Sequence, residues 1–273
     1  MIITADVKLP RGGNPDNGIP ETLIMRGATV SEWKSIISSS SKKYRYVALW
    51  KLCDQTPGYN PEIAIDELLS PIDITQMMIY SRILTLGPEI EITIKCPDCG
   101  SINNVKLDLS TIEYSEFDGV NTETIEIDYP NPKNPEQIDR LPVVIRNFHE
   151  ADLDKIKNEA ERLMAQRKKN NAKYDMDIID IIGEIIPYFR IESIDGKKVN
   201  FSYIMQVYPK ISMDDYMEIE DVGNELDDKV LALTKNTRCY KCDRNIEYNI
   251  PRGREILFYK HKRQPRTGSE RDR

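Results

Sequence analysis

The chain has 273 residues, is 40% hydrophobic and 30% charged, and carries a formal net charge of -7. This is an ordinary globular balance with room for one large domain or two smaller ones, and the acidic excess argues against a general nucleic-acid binder. No stretch approaches the roughly 18–20 apolar residues that cross a bilayer, and Met1-Ile2-Ile3-Thr4-Ala5-Asp6 lacks the basic-then-apolar order of a signal peptide, so the chain is expected to be made in a reducing cytosol.

Residues 1–20, with Pro10, Gly12, Gly13 and Pro15, are expected as a flexible N-terminal arm outside the core. Residues 21–115 are expected to form a helical region that ends in a first metal knuckle. Leu23-Ile24-Met25 suits a short strand. Thr29-Val30-Ser31-Glu32 fits a capping box, in which hydroxyl and carboxylate satisfy free amides at a helix start. Trp33, Ile36 and Ile37 follow at helical spacing. Residues 44–53 predict a second helix, with Cys53 as a packing residue, and residues 61–69 a third. Ser70-Pro71-Ile72-Asp73 is a further start signal, with Pro at the first helical position. That helix carries Ile74, Met77, Met78, Ser81, Ile83 and Leu84 and stops at Gly87-Pro88. Ile90, Ile92 and Ile94 then alternate with Glu91, Thr93 and Lys95, the pattern of a half-buried strand. The strand runs into Cys96-Pro97-Asp98-Cys99, and alternation resumes with Val105, Leu107 and Leu109.

Residues 116–142 are acidic and rich in Pro and Asn, and are expected as a loop-rich linker. Residues 122–129 suit a strand, Pro130-Asn131-Pro132-Lys133-Asn134-Pro135 a loop, and residues 142–146 another strand. Residues 143–259 are expected as a second helical region with a second knuckle. It begins with a charged helix over 150–169 and a buried, isoleucine-dense helix over 177–186. A hairpin turning at Asp195-Gly196 follows, then a helix over 199–208 that Pro209 ends. A long helix opens at Ser212-Met213-Asp214-Asp215 and runs to Leu233. Cys239-Tyr240-Lys241-Cys242 comes next, then the alternation of Ile246, Tyr248 and Ile250. Residues 260–273 read as a basic flexible tail. Each half thus runs helices, a C-x-x-C and an alternating strand, a weak repeat of order rather than of residues.

The two cysteine pairs stand 143 positions apart, Cys96 to Cys239. A structural zinc is tetrahedral and takes four soft ligands, and one C-x-x-C turn supplies two. Cys96, Cys99, Cys239 and Cys242 therefore read as one split zinc site, closed to substrate. A redox pair and a degenerate metal site are the competing readings. Thioredoxin-type motifs sit between a strand and a helix start, where the dipole lowers a thiol pKa, whereas strands follow both pairs here. The two histidines, His149 and His261, are too few to complete two separate sites, and neither suggests an imidazole-based active site. No G-x-S-x-G, P-loop or G-x-G-x-x-G occurs. Asp214, Asp215, Glu218, Glu220 and Asp221 read as a solvated helix face. The chain is expected to be no enzyme and to take no small-molecule substrate.

The order of Leu23-Ile24-Met25-Arg26-Gly27-Ala28-Thr29-Val30-Ser31-Glu32, a helical block, Ser81-Arg82-Ile83-Leu84-Thr85-Leu86-Gly87-Pro88-Glu89-Ile90 and Ile94-Lys95-Cys96-Pro97-Asp98-Cys99-Gly100 is distinctive. With Cys239-Tyr240-Lys241-Cys242 and Phe258-Tyr259, it resembles the baseplate hub subunits and hub assembly proteins of T-even-type contractile-tailed phages over residues 23–259. The resemblance implies a non-enzymatic structural or chaperone-like role in building the tail baseplate hub. Its partners would be other tail or baseplate hub proteins, met in the host cytoplasm during assembly, and the sequence leaves both fates open, staying in the virion tail or leaving after assembly. One departure is Asp243, where a zinc knuckle usually carries Gly; Asp tolerates the left-handed conformation better than most residues. The expected fold is α+β: mainly helical layers with a small zinc-ribbon-like β element built from two separated C-x-x-C knuckles. The rival reading is a zinc-ribbon nucleic-acid-binding module, which would use Lys260, Lys262, Arg263 and Arg266 for salt-dependent contacts.

Overall fold

The computed structural model describes residues 3–39, 41–114, 119–131, 134–170, 177–207, 210–228 and 233–250. The first core starts where an arm was expected. Thr4–Lys8 (β1) pairs antiparallel with Thr22–Arg26 (β2), with Val7 opposite Leu23. Val7, Leu9 and Ile19 are all fully buried. Only Val7 marks the inward face of β1, so the local pattern is too thin to show a strand that a distant partner stabilises. The connection turns tightly at Gly13 (φ +68°), where a Cβ would meet the Pro20 carbonyl oxygen at 2.7 Å.

Val30–Ser38 (α1) begins with the expected capping box: the Thr29 hydroxyl accepts from Glu32 N at 3.3 Å, and Glu32 accepts from Thr29 N at 2.9 Å. Lys42–Trp50 (α2) ends in a tight turn over Lys51–Cys53, and Cys53 is buried. The helix expected over 61–69 shrinks to Ile65–Leu68 (α3), because the preceding loop is pinned at Asn60. The Asn60 carbonyl accepts from Trp50 Nε1 at 2.8 Å, and its side chain accepts from Glu62 N at 3.0 Å. Pro71–Leu86 (α4) is capped by the Ser70 hydroxyl and stops at Gly87, as its signals indicate. Glu89–Lys95 (β3) and Ile102–Asp108 (β4) then form an antiparallel ribbon.

The second core is built around the segment expected as a linker. Thr122–Asn131 (β5) and Asn134–Arg146 (β6) make a long hairpin. Ile125 and Ile127 alternate inward, with Ile125 opposite Val143, and this apolar face outweighs the loop-forming Pro and Asn content. Ile191–Ile194 (β7) and Lys197–Lys198 (β8) extend the sheet in the order β5-β6-β7-β8. Glu150–Asn170 (α5), Ile178–Arg190 (α6), Phe201–Val207 (α7) and Met213–Asp228 (α8) complete this lobe. The α6 helix runs through Pro187 rather than stopping at residue 186. Pro187, Tyr188 and Arg190 are all buried, and that packing offsets the hydrogen bond Pro cannot make.

Thr234–Arg238 (β9) and Asn245–Asn249 (β10) form the last ribbon. Leu233, expected as a helix end, is not helical. It is buried in the first core with Ile250, whose amide donates to the Leu233 carbonyl at 2.6 Å. This packing cuts across the expected division at residue 143. The second knuckle belongs with the first core, and the described residues between 119 and 228 form a lobe inserted between the two ribbons. The lobes meet where Glu150 N donates to the Leu69 carbonyl at 3.0 Å, Tyr46 Oη donates to Glu150 at 2.6 Å, and Lys42 pairs with Asp154 at 2.6 Å. The molecule is mixed helix and sheet, with its four paired cysteines brought together. Among the described residues no helix is long and apolar enough to cross a membrane. The expected basic tail, with Phe258, Tyr259 and His261, lies outside the described residues.

Candidate metal centre

Each C-x-x-C closes a hairpin, the first joining β3 to β4 and the second β9 to β10. The two turns repeat the same hydrogen bonds. Cys96 N donates to the Ser101 carbonyl at 2.9 Å and Gly100 N to the Cys96 carbonyl at 3.0 Å; Cys239 N donates to the Arg244 carbonyl at 2.8 Å and Asp243 N to the Cys239 carbonyl at 2.9 Å. Both turns need a left-handed residue at the fifth position. Gly100 supplies it at φ +69° and Asp243 at φ +57°, so Asp243 adopts the conformation Gly would take.

The turns face each other. Cys96 Sγ lies 3.7 Å from Cys242 Sγ, and Cys99 Sγ lies 3.6 Å from Cys239 Sγ. All four sulfurs lie within 4.8 Å of one another. Ile246 and Ile94 pack beside them. Asp98 of the first turn pairs with Arg244 of the second at 2.6 Å. Two residues that sequence reasoning missed also reach in: the Ser101 hydroxyl lies 3.1 Å from both Cys99 Sγ and Cys239 Sγ, and Asn103 accepts from Tyr240 N at 3.0 Å. Their only signal in the sequence is a place two and four residues past Cys99.

The thiols compete for ionisation. The Ser101 hydroxyl favours the thiolate at Cys239 and pulls it down to about 5, and it lowers Cys99 in the same way. At Cys242 the Arg244 amide favours the thiolate, but burial and the sulfurs of Cys99, Cys239 and Cys96 outweigh it and push the thiol up to about 12. Four thiolates this close repel unless a cation sits among them.

A metal fits this arrangement. With Zn–S near 2.3 Å, a regular tetrahedron places its sulfurs about 3.8 Å apart, against the 3.6 and 3.7 Å between turns. A disulfide needs about 2.05 Å. Neither pair stands at a helix start, so the dipole that activates a redox C-x-x-C is missing at both turns. A closed thiolate set of this kind gives cross-linking rather than Lewis-acid chemistry, because no position is left for a substrate.

The other candidates do not converge on chemistry. His149 lines a cavity of about 720 Å³ between the lobes, with Arg11, Asp73, Asn121 and Arg146. Burial and the Arg146 charge pull its imidazole down to about 4. Its amide donates to Asp152 at the start of α5, a structural role. On α8, Asp215 bonds Ser212 at the helix start, while Asp214, Glu218 and Asp221 are exposed. Among the described residues, only the four cysteines gather as a set of metal ligands.

Residues 2–256 match the family model described as T4 bacteriophage base plate protein. No curated protein and no solved structure matches the chain.

Proposed function

Because the chain belongs to the T4 bacteriophage base plate protein family, we propose that it is a structural or assembly protein of the phage tail baseplate hub, held together by one structural zinc on Cys96, Cys99, Cys239 and Cys242. The observation that carries this reading is the reach of the family match, residues 2–256, which spans both lobes and both knuckles. The partners are other baseplate proteins, met in the host cytoplasm during assembly. The chain offers them exposed apolar residues on separate helices, among them Tyr44 and Val47 on α2, Ile179 on α6 and Met213 and Met217 on α8. When bound, zinc supplies a rigid link between two ribbons far apart in sequence and no reaction step. The basic residues of the nucleic-acid alternative, Lys260, Lys262, Arg263 and Arg266, lie outside the described residues, and no other observation favours that reading.

The test is a phage in which a stop codon interrupts this chain. Electron micrographs should show tails that lack complete baseplates, rescued by the chain supplied in trans. Mass spectrometry of rescued particles then separates the roles: retention marks a hub subunit, and absence marks an assembly factor. Normal infectious particles without the chain would refute the proposal.

A further inference from the structure

The two knuckles are equivalent at an offset of 143 positions, but the equivalence stops just beyond the turns. Ser101 corresponds to Arg244, and Asn103 corresponds to Ile246. Both Asn103 and Ile246 are buried, at 5% and 3% exposure. An amide side chain is costly to bury without partners, and an isoleucine fills the same place in the other ribbon. The ribbon fold therefore does not require a polar group here. What Asn103 adds is contact across the centre. Its Oδ1 accepts from Tyr240 N at 3.0 Å, the amide next to Cys239, and its Nδ2 donates to the Ser101 carbonyl at 3.2 Å and to Cys239 Sγ at 3.8 Å. The Ser101 hydroxyl sits between Cys99 Sγ and Cys239 Sγ, one sulfur from each knuckle.

We propose that Asn103, assisted by Ser101, is the positioning residue of the centre: the first ribbon alone orients the Cys239 turn and donates a hydrogen bond to its sulfur, so that the second knuckle closes onto a prepared half-site. This rests on the reading that the four cysteines share one metal. Residues that bond a metal's ligands orient them and tune their donor strength, and losing one costs on the order of 10- to 100-fold in affinity. The asymmetry gives the two knuckles different tasks. The first ribbon carries the groups that bond the opposite knuckle's amide and sulfur, and the second answers with the Arg244–Asp98 ion pair at 2.6 Å.

The experiment uses the full-length chain, with zinc affinity from chelator competition and the sulfur-to-metal charge-transfer band of the cobalt(II) form. Asn103→Asp keeps the acceptor for Tyr240 N but loses the donor and adds a negative charge. Asn103→Ile copies the packing of residue 246. Both should bind zinc at least about 10-fold more weakly, with the cobalt band moved to lower energy as the Cys239 sulfur loses its donor. Circular dichroism should be unchanged. If the Asn103 variants lose their fold, Ser101→Ala should show the same band shift and weakening. Wild-type affinity, or weakened affinity with an unmoved band, overturns the proposal alone. Failure of the wild-type chain to take up any metal overturns the four-cysteine reading and this proposal with it.

Discussion

Arg26 is only 7% exposed and sits between two carboxylates. Its guanidinium bonds both oxygens of Glu32 at 2.8 and 3.0 Å and both of Asp54 at 3.0 and 3.1 Å. It thereby ties β2 to α1 and to the turn after α2. Hydrogen bonds from Arg26 hold the Glu32 carboxyl at about 2, below its usual 4.5. A carboxyl lowered on folding contributes stability that is present above about pH 4.5 and lost as pH falls toward 2. The stability difference between wild type and Glu32→Gln should therefore be about 1–3 kcal/mol near neutrality and shrink across that window, as read by denaturant unfolding at a series of pH values. A difference independent of pH would show that folding leaves the Glu32 pKa unshifted, so that Arg26 does not favour its ionised form. Asp243 gives a second residue-scale prediction. At φ +57° it holds a conformation that costs a branched side chain about 1–2 kcal/mol. Asp243→Gly should be neutral or slightly stabilising in thermal unfolding, and Asp243→Val should lower the midpoint. Equal midpoints for the two would contradict the strained-turn account.

At the scale of elements, α6 and α8 are joined through one arginine. Arg190 is 3% exposed, donates to the Gly223 carbonyl and to Asp227 at 2.6 Å each, and lies 4.2 Å over the Phe148 ring. A Cβ at Gly223 would collide with the Arg190 Cδ and Nε atoms, and the bonds at the far end leave that side chain little room to move. Gly223→Ala, which raises helix propensity by about 1 kcal/mol, should nonetheless destabilise the chain by about 1–3 kcal/mol in denaturant unfolding; a gain in stability would overturn this packing. Such contacts also explain what the sequence could and could not show. The capping box at Thr29 and Glu32, Pro71 at a helix start, and the alternation of Ile90, Ile92 and Ile94 are local signals, and each became the element it indicated. The four cysteines were legible as a set for the same reason, since each pair makes its own turn. β1 was not legible, because its partner decides it, and neither was the start of β6, where Asn134 and Pro135 read as loop. Ser101 and Asn103 were hidden because their targets lie across the centre, more than a hundred positions away.

For the whole molecule, the decisive feature is that residues 119–228 are inserted between two ribbons that pack on one core. A cross-link that closes a loop of more than 100 residues removes unfolded-state entropy worth about 4–5 kcal/mol, and a structural metal adds its own binding free energy to folding. The inserted lobe has a separate core, built from residues such as Ile127, Ile145, Ile181 and Ile219, and it contains no cysteine. Chelation should therefore loosen the molecule unevenly. Hydrogen exchange should show β9, β10 and the first knuckle losing protection while β5, β6 and α6 keep theirs; uniform loss throughout would mean that the lobes unfold as one unit. The central claim, that two distant knuckles share one metal, is tested most directly by elemental mass spectrometry of freshly purified chain. The account predicts one zinc per wild-type chain and none in Cys239→Ser. No zinc in the wild type, or full zinc retained by the variant, would contradict it.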